Sequence, residues 1–195
     1  CVRHIGPEKA IGVATDTVAC GHPYIVGFGM GGNESMFSQE AFYPAYKIAA
    51  DAGLGCTTHA GEVEGPQSVW DAIDKLPVTR IGHGVRSIED PKLVEELVKR
   101  GIVLEVCPGS NIALSVYPDY ASHPLRRLYD SGVKVTLGSD DPPFFHTTLA
   151  EEYQRAKDVF GFSENELRGI TRTALEAAFV DADTKAILIA KLDAN

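Results

Sequence analysis

"TRIGHGVRSIEDPKLVEELVKRGIVLEVCP", residues 79–108, decides the fold class. A short apolar run, "TRIGHG" (79–84), closes on glycine, and a second, "IVLEVCP" (102–108), closes on proline. Between them lies a helical pattern. Asp90 stands where an N-cap is expected, Pro91 at the first helical position, and Gly101 where the helix must stop. Strand, helix and strand in so short a span make a parallel βα unit.

The same rhythm extends both ways. "YIVGFGMGG" (24–32), "GCTTHAG" (55–61) and "VKVTLGSD" (133–140) also read as strands. Their apolar runs are continuous, which suits strands covered on both faces. Helical patterns intervene at 38–53, 65–76 and 122–132, the last ended by Gly132. Pro44 is expected to kink the first or delay its start, and Pro66 suits a first turn. Three more helical patterns, at 147–161, 163–180 and 181–192, follow the last strand. Thr148 with Glu151, and Ser163 with Glu166, have capping-box spacing.

Two α/β architectures fit this alternation, a doubly wound sheet and a (β/α)8 TIM barrel. "GFGMGGNE" superficially resembles a dinucleotide loop, but no acidic residue follows in a second strand of the right kind. Gly32, His59, His83, Asn111 and Asp140 all fall at or just beyond the C-terminal ends of different strands. In a barrel those ends converge on one face. The expectation is therefore a partial barrel in one domain, 1–195. It runs from about the end of strand 3, in "CVRH", to strand 8 and the C-terminal helices. The remaining strands are expected before Cys1. Open strand edges would favour an oligomer or a separately supplied N-terminal segment.

Composition narrows the function. The 195 residues are 44% hydrophobic and 23% charged, with a net charge of -9. That balance argues against nucleic acid or an anionic membrane as partner and leaves small molecules. Cys1, Cys20, Cys56 and Cys107 form no CxxC pair. They read as buried reduced thiols, and the location as cytoplasmic. No apolar run of transmembrane length is present, and no signal peptide is expected.

Three short motifs carry chemistry. "THAGE" sets His59 and Glu62 around two small residues, so a metal-binding imidazole and a proton-carrying carboxyl can face one pocket. The competing reading is a strand-end histidine on a carbonyl beside a solvated glutamate. "RIGHG" holds His83 between glycines, a poor choice for a histidine that merely packs. "GSDDP" offers Asp140 as metal ligand and proton acceptor and Asp141 for a substrate heteroatom; alone it reads equally as an N-cap before a proline turn. Together the motifs point to metal-assisted hydrolysis. His4, His22, His123 and His146 lack motif context, and Trp70 reads as core. Glu105 lines the barrel or equally makes an ion pair, and Asn111 reads first as a loop cap, with shaping the pocket as the alternative.

"GGNE", "TTHAGE", "RIGHGVRSIEDP", "LEVCPGSN" and "VTLGSDDP", in this order and spacing, resemble the C-terminal part of the adenosine deaminase family, in the amidohydrolase superfamily. The resemblance implies zinc-dependent hydrolysis of adenosine and 2'-deoxyadenosine to the inosine form and ammonia, by attack at C6. It makes His59 and Asp140 ligands of Zn2+, with Asp140 also the base towards water. Glu62 would protonate purine N1, and His83 would orient the water. Asp141 would meet N7, and the backbone N–H of Gly32 would meet N3. The family's first two ligands form an H-x-H pair, and no H-x-H occurs in this chain. The chain alone is therefore expected to be inactive. The rival substrates are adenine or a modified adenine. "IGHG" and "GGNE" stand on the adenosine side of that choice. The rival from another class is a non-catalytic binding or assembly domain.

Overall fold

In a computed structural model, which describes residues 1–194, each apolar run yields a strand shorter than itself. The strands are β1 Gly27–Met30, β2 Gly55–Ala60, β3 Arg80–His83, β4 Val103–Val106 and β5 Lys134–Leu137. They lie side by side in chain order, and every neighbouring pair is parallel. A doubly wound sheet would reverse its order part-way; a sheet that only ever adds the next strand is a barrel wall. The fold is thus a partial (β/α)8 barrel. Val2 bridges Gly31 in parallel, so "CVRH" extends the wall beyond β1.

One expectation needs correction. β2 is not covered equally on both faces. Cys56, Thr58 and Ala60 are buried, whereas Gly55, Thr57 and His59 are only partly so. The more buried face packs under helices. The opposite face lines the barrel interior, where polar side chains collect.

The helix signals mostly act as their chemistry dictates. In α4 (Pro91–Arg100) the Asp90 carboxylate accepts the Lys92 N–H at 3.0 Å, and Gly101 ends the helix at φ +68°. Leu93, Val94 and Leu97 form its buried stripe. Pro44 delays rather than kinks: a 3-10 turn, Gln39–Phe42, precedes α2 (Tyr43–Asp51). α3 (Pro66–Lys75), α6 (Leu125–Asp130), α8 (Leu149–Asp158), α9 (Glu164–Ala177) and α10 (Ala182–Asp193) lie within their patterns or end a residue beyond.

Three helices are unanticipated. α1 (Pro7–Cys20) carries Gly12 and the β-branched Val13, Thr15, Thr17 and Val18, all weak helix formers. Tertiary packing decides instead, with Ala10 and Ala14 buried on one side. The short α5 (Pro108–Ala113) and α7 (Pro142–Phe145) start at prolines in the loops that follow β4 and β5. The cysteine expectation also needs correction. All four are free, but Cys20 is exposed and Cys1 only partly buried.

Only one of the two capping boxes closes. Ser163 accepts the Glu166 N–H while the Glu166 carboxylate accepts the Ser163 N–H at 2.8 Å. Thr148 accepts the Glu151 N–H, but its own hydroxyl takes up the Glu151 carboxylate. Ser163→Ala should therefore cost about 1 kcal/mol in urea denaturation. Hydrogen bonds from Ser163, and then Arg126, pull Glu166 down from 4.5 to about 2. A depressed acid stabilises above its unfolded pKa, and that help fades as pH falls from 4.5 towards 2. The Ser163→Ala deficit should shrink over the same window.

At the other end of the barrel from the site, Arg80 ion-pairs with Glu105 at 2.8 Å. Thr57 donates to the same carboxylate at 2.8 Å. Arg80 also donates to the Ala177 carbonyl and stacks 3.7 Å from the Phe179 ring centre. The ring occupies space that Cβ atoms at Gly27 and Gly55 would enter, at 2.7 and 2.3 Å. Glu105 is thus an ion-pair residue, and the segment after α9 closes the barrel floor.

Candidate active site

His59 sits near the end of β2 in a slot cut by glycines. A Cβ on Gly82 would lie 2.6 Å from its Cδ2, and one on Gly31 3.4 Å from its Cε1. His83 ends β3 with its ring edge-on to His59, centroids 4.8 Å apart. Its backbone is left-handed, φ +62°, as is that of Asp140 beyond β5, φ +53°. Such conformations are uncommon outside glycine and cluster where side chains must be aimed.

His83 is the common neighbour of the two acids. Its Nδ1 lies 3.5 Å from Glu62 Oε1 and its Nε2 3.7 Å from Asp140 Oδ2. Burial, and then the neighbouring His59, lower the His83 pKa to about 3, so the ring is neutral. Glu62 moves oppositely. Burial first, then the charges of Asp140 and Glu34, push its carboxyl up to about 7. The Asp140 carboxylate accepts the Ser110 hydroxyl at 2.7 Å.

Two donor clusters result. His59, Glu62 and His83 each place one ligand atom within 4.8 Å of the others, and so do His83, Cys107 and Asp140. His59 and Asp140, the expected ligand pair, fall in different clusters joined by His83. Imidazole and carboxylate donors in a slot shaped by Gly31 and Gly82 suit a zinc-like divalent ion. Asp141 is exposed at the N-cap position of α7, but its side chain makes no capping bond. Gly32 lies past β1 at φ +103°, where a Cβ would strike His4 at 2.9 Å.

Several site residues have partners that the sequence does not reveal. Glu34 is buried and accepts the backbone N–H groups of Gly61, Glu62, Val63 and Glu64 and the Ser68 hydroxyl. It thereby fixes the turn that presents Glu62. Glu152, also buried, accepts the Gly109 N–H at 3.0 Å and steadies the loop bearing Ser110 and Asn111. Asn111 is a pocket residue rather than a loop cap. Its Nδ2 lies 3.2 Å from His83 Nδ1 and 3.4 Å from Glu62 Oε1, and its Oδ1 3.0 Å from His123 Nε2. "GGNE" and "CPGSN" contain two of these residues, but no spacing rule reveals their distant partners.

The chain is 57% identical over 190 residues to a protein named adenine deaminase from Rhizobium leguminosarum bv. trifolii (strain WSM2304), matching 97% of this chain and 59% of the relative. It thus spans under two thirds of that relative's length. The crystal structure of adenine deaminase from Arthrobacter aurescens superposes with TM-score 0.92 at 31% identity, covering 98% of this chain and 58% of that one. An amidohydrolase from Burkholderia ambifaria with bound Zn superposes with TM-score 0.91 at 31% identity, covering 98% and 54%. Both named deaminases are adenine deaminases, whereas the motifs gave adenosine as the expectation. A family model described as adenosine deaminase matches residues 1–195, and the chain belongs to the adenosine deaminase family.

Proposed function

We propose that the whole protein hydrolyses the 6-amino group of adenine, giving hypoxanthine and ammonia, in a zinc-dependent reaction within the cytoplasm. The observation that carries this reading is the convergence on His83 of a buried carboxyl poised near neutrality and a carboxylate beyond β5, two strands away.

His59 and Asp140 would hold the zinc ion. When bound, it would supply Lewis-acid activation of water near neutral pH. Glu62 does the acid's work. With its pKa near 7, a large fraction is protonated at neutrality and can be given to purine N1, making C6 electrophilic. Asp140, held by Ser110, accepts one proton of the attacking water and passes it to the departing amine, and the proton left on the C6 hydroxyl restores the acid form of Glu62 as the carbonyl forms. Neutral His83 orients that water. Asp141, free of capping duty, would take purine N7, and the Gly32 N–H would take N3.

Adenine replaces adenosine because of the relatives' names. The motif argument for adenosine loses force once Gly82 is understood physically. Glycine precedes "HG" because a Cβ would strike the His59 ring, so its identity reports on His59 rather than on ribose.

Chelation gives the test of the metal. Ammonia release from adenine should fall to background when the metal is stripped and return on adding zinc. Full activity in protein shown by elemental analysis to be metal-free contradicts the reading. Purine binding without ammonia release would favour the non-catalytic domain.

A further inference from the structure

His123 lies outside every motif, yet it is buried 12 positions from its partner Asn111. Its ring is wedged edge-on between Tyr117 and Phe160, with centroids 5.1 and 5.7 Å away. Its Nδ1 lies 3.2 Å from the backbone nitrogen of Leu125. A backbone N–H can only donate. His123 Nδ1 must therefore carry the lone pair. Burial lowers the ring's pKa to about 4, so the ring is neutral and its one proton is on Nε2.

That assignment propagates. His123 Nε2–H donates to Asn111 Oδ1 at 3.0 Å. The amide is then oriented, and its NH2 faces Glu62 Oε1 and His83 Nδ1. Flipping it would set two donors against each other at His123 and leave an oxygen against the Glu62 oxygen. With an NH2 donor before it, His83 Nδ1 must accept. The His83 proton is then on Nε2, facing Asp140 Oδ2 at 3.7 Å.

We propose that a hydrogen-bond relay of fixed polarity runs from the Leu125 N–H through His123 and Asn111 to His83, making His123 the positioning residue that sets the His83 tautomer. Its catalytic meaning rests on the deaminase reading. An Nε2–H on His83 is a donor beside the acceptor Asp140, so the pair can hold a water between them. It also keeps His83 Nε2 from acting as a metal ligand.

Long-range proton–nitrogen NMR of the protein labelled with 15N-histidine reads tautomers directly. His83→Gln and His123→Phe assign the two rings by loss of signal. Both rings should be Nε2–H in the wild type, with His83 unchanged by added zinc. His123→Phe keeps the packing but removes the donor, so His83 should shift to a mixture or to Nδ1–H. His123→Gln restores a donor and should restore Nε2–H. With adenine, His123→Phe should lower kcat roughly 10- to 100-fold, with KM changed less than about twofold. A wild-type His83 in the Nδ1–H form, loss of its Nε2 proton on zinc addition, or an unmoved His83 in His123→Phe overturns the relay. The spectra involve no substrate, so failure of the deaminase reading leaves them interpretable.

Discussion

Glu62→Gln should lower kcat for adenine hydrolysis by roughly 10²- to 10⁴-fold, the range general acid catalysis supplies. The amide matches the protonated carboxyl in shape and charge but cannot transfer a proton. The Asn111 contact survives, because an amide oxygen still accepts. Stability should move little at acid pH. An acid whose pKa rises from 4.5 to about 7 on folding stabilises below 4.5, and that help is lost as pH rises through 7. In the metal-free protein the wild type should therefore lose stability relative to Glu62→Gln over that window, the buried histidines contributing equally to both. Ammonia release and urea midpoints across pH check both statements. Wild-type kcat in the Glu62→Gln variant removes Glu62 from the mechanism.

Glu34→Ala should be the most destabilising change in the site. The carboxylate is 4% exposed and serves four consecutive backbone N–H groups and a hydroxyl. Each buried donor left dry costs about 1–3 kcal/mol. Water entering the vacated space will satisfy some, so a loss of about 3–4 kcal/mol is expected. In a domain of this size that lowers Tm by roughly 6–16 °C. Glu34→Gln keeps the volume but sets an NH2 against N–H groups, so it should recover only part of the loss. A fall below about 1 kcal/mol for Glu34→Ala would mean that the turn at residues 61–64 holds itself.

The wall of the barrel was legible because its signals are local. Apolar runs closed by glycine, proline or a polar residue gave the strands, and Asp90, Pro91 and Gly101 bounded α4. His59, Glu62, His83, Asp140 and Asp141 were legible as motif residues at strand ends. Their supports were not. Glu34 reaches its partners 27 to 34 positions away, and Glu152 reaches Gly109 across 43. A buried acceptor for a row of N–H groups looks in sequence like any solvated acid. His123 likewise acquires meaning only from the Leu125 N–H and the amide beside it. α1 was hidden because packing of Ala10 and Ala14 outweighs weak intrinsic propensity. Gly82 reads in sequence against His83 and the substrate alone, because the ring on β2 that crowds it is invisible there.

The most direct measurement is steady-state ammonia release by the whole zinc-loaded protein from adenine and adenosine side by side. Adenine should be deaminated with kcat/KM at least roughly tenfold above adenosine, the discrimination that differing contacts in one pocket readily provide. Preference for adenosine would return the substrate to the nucleoside, and release from neither would contradict the deaminase reading itself.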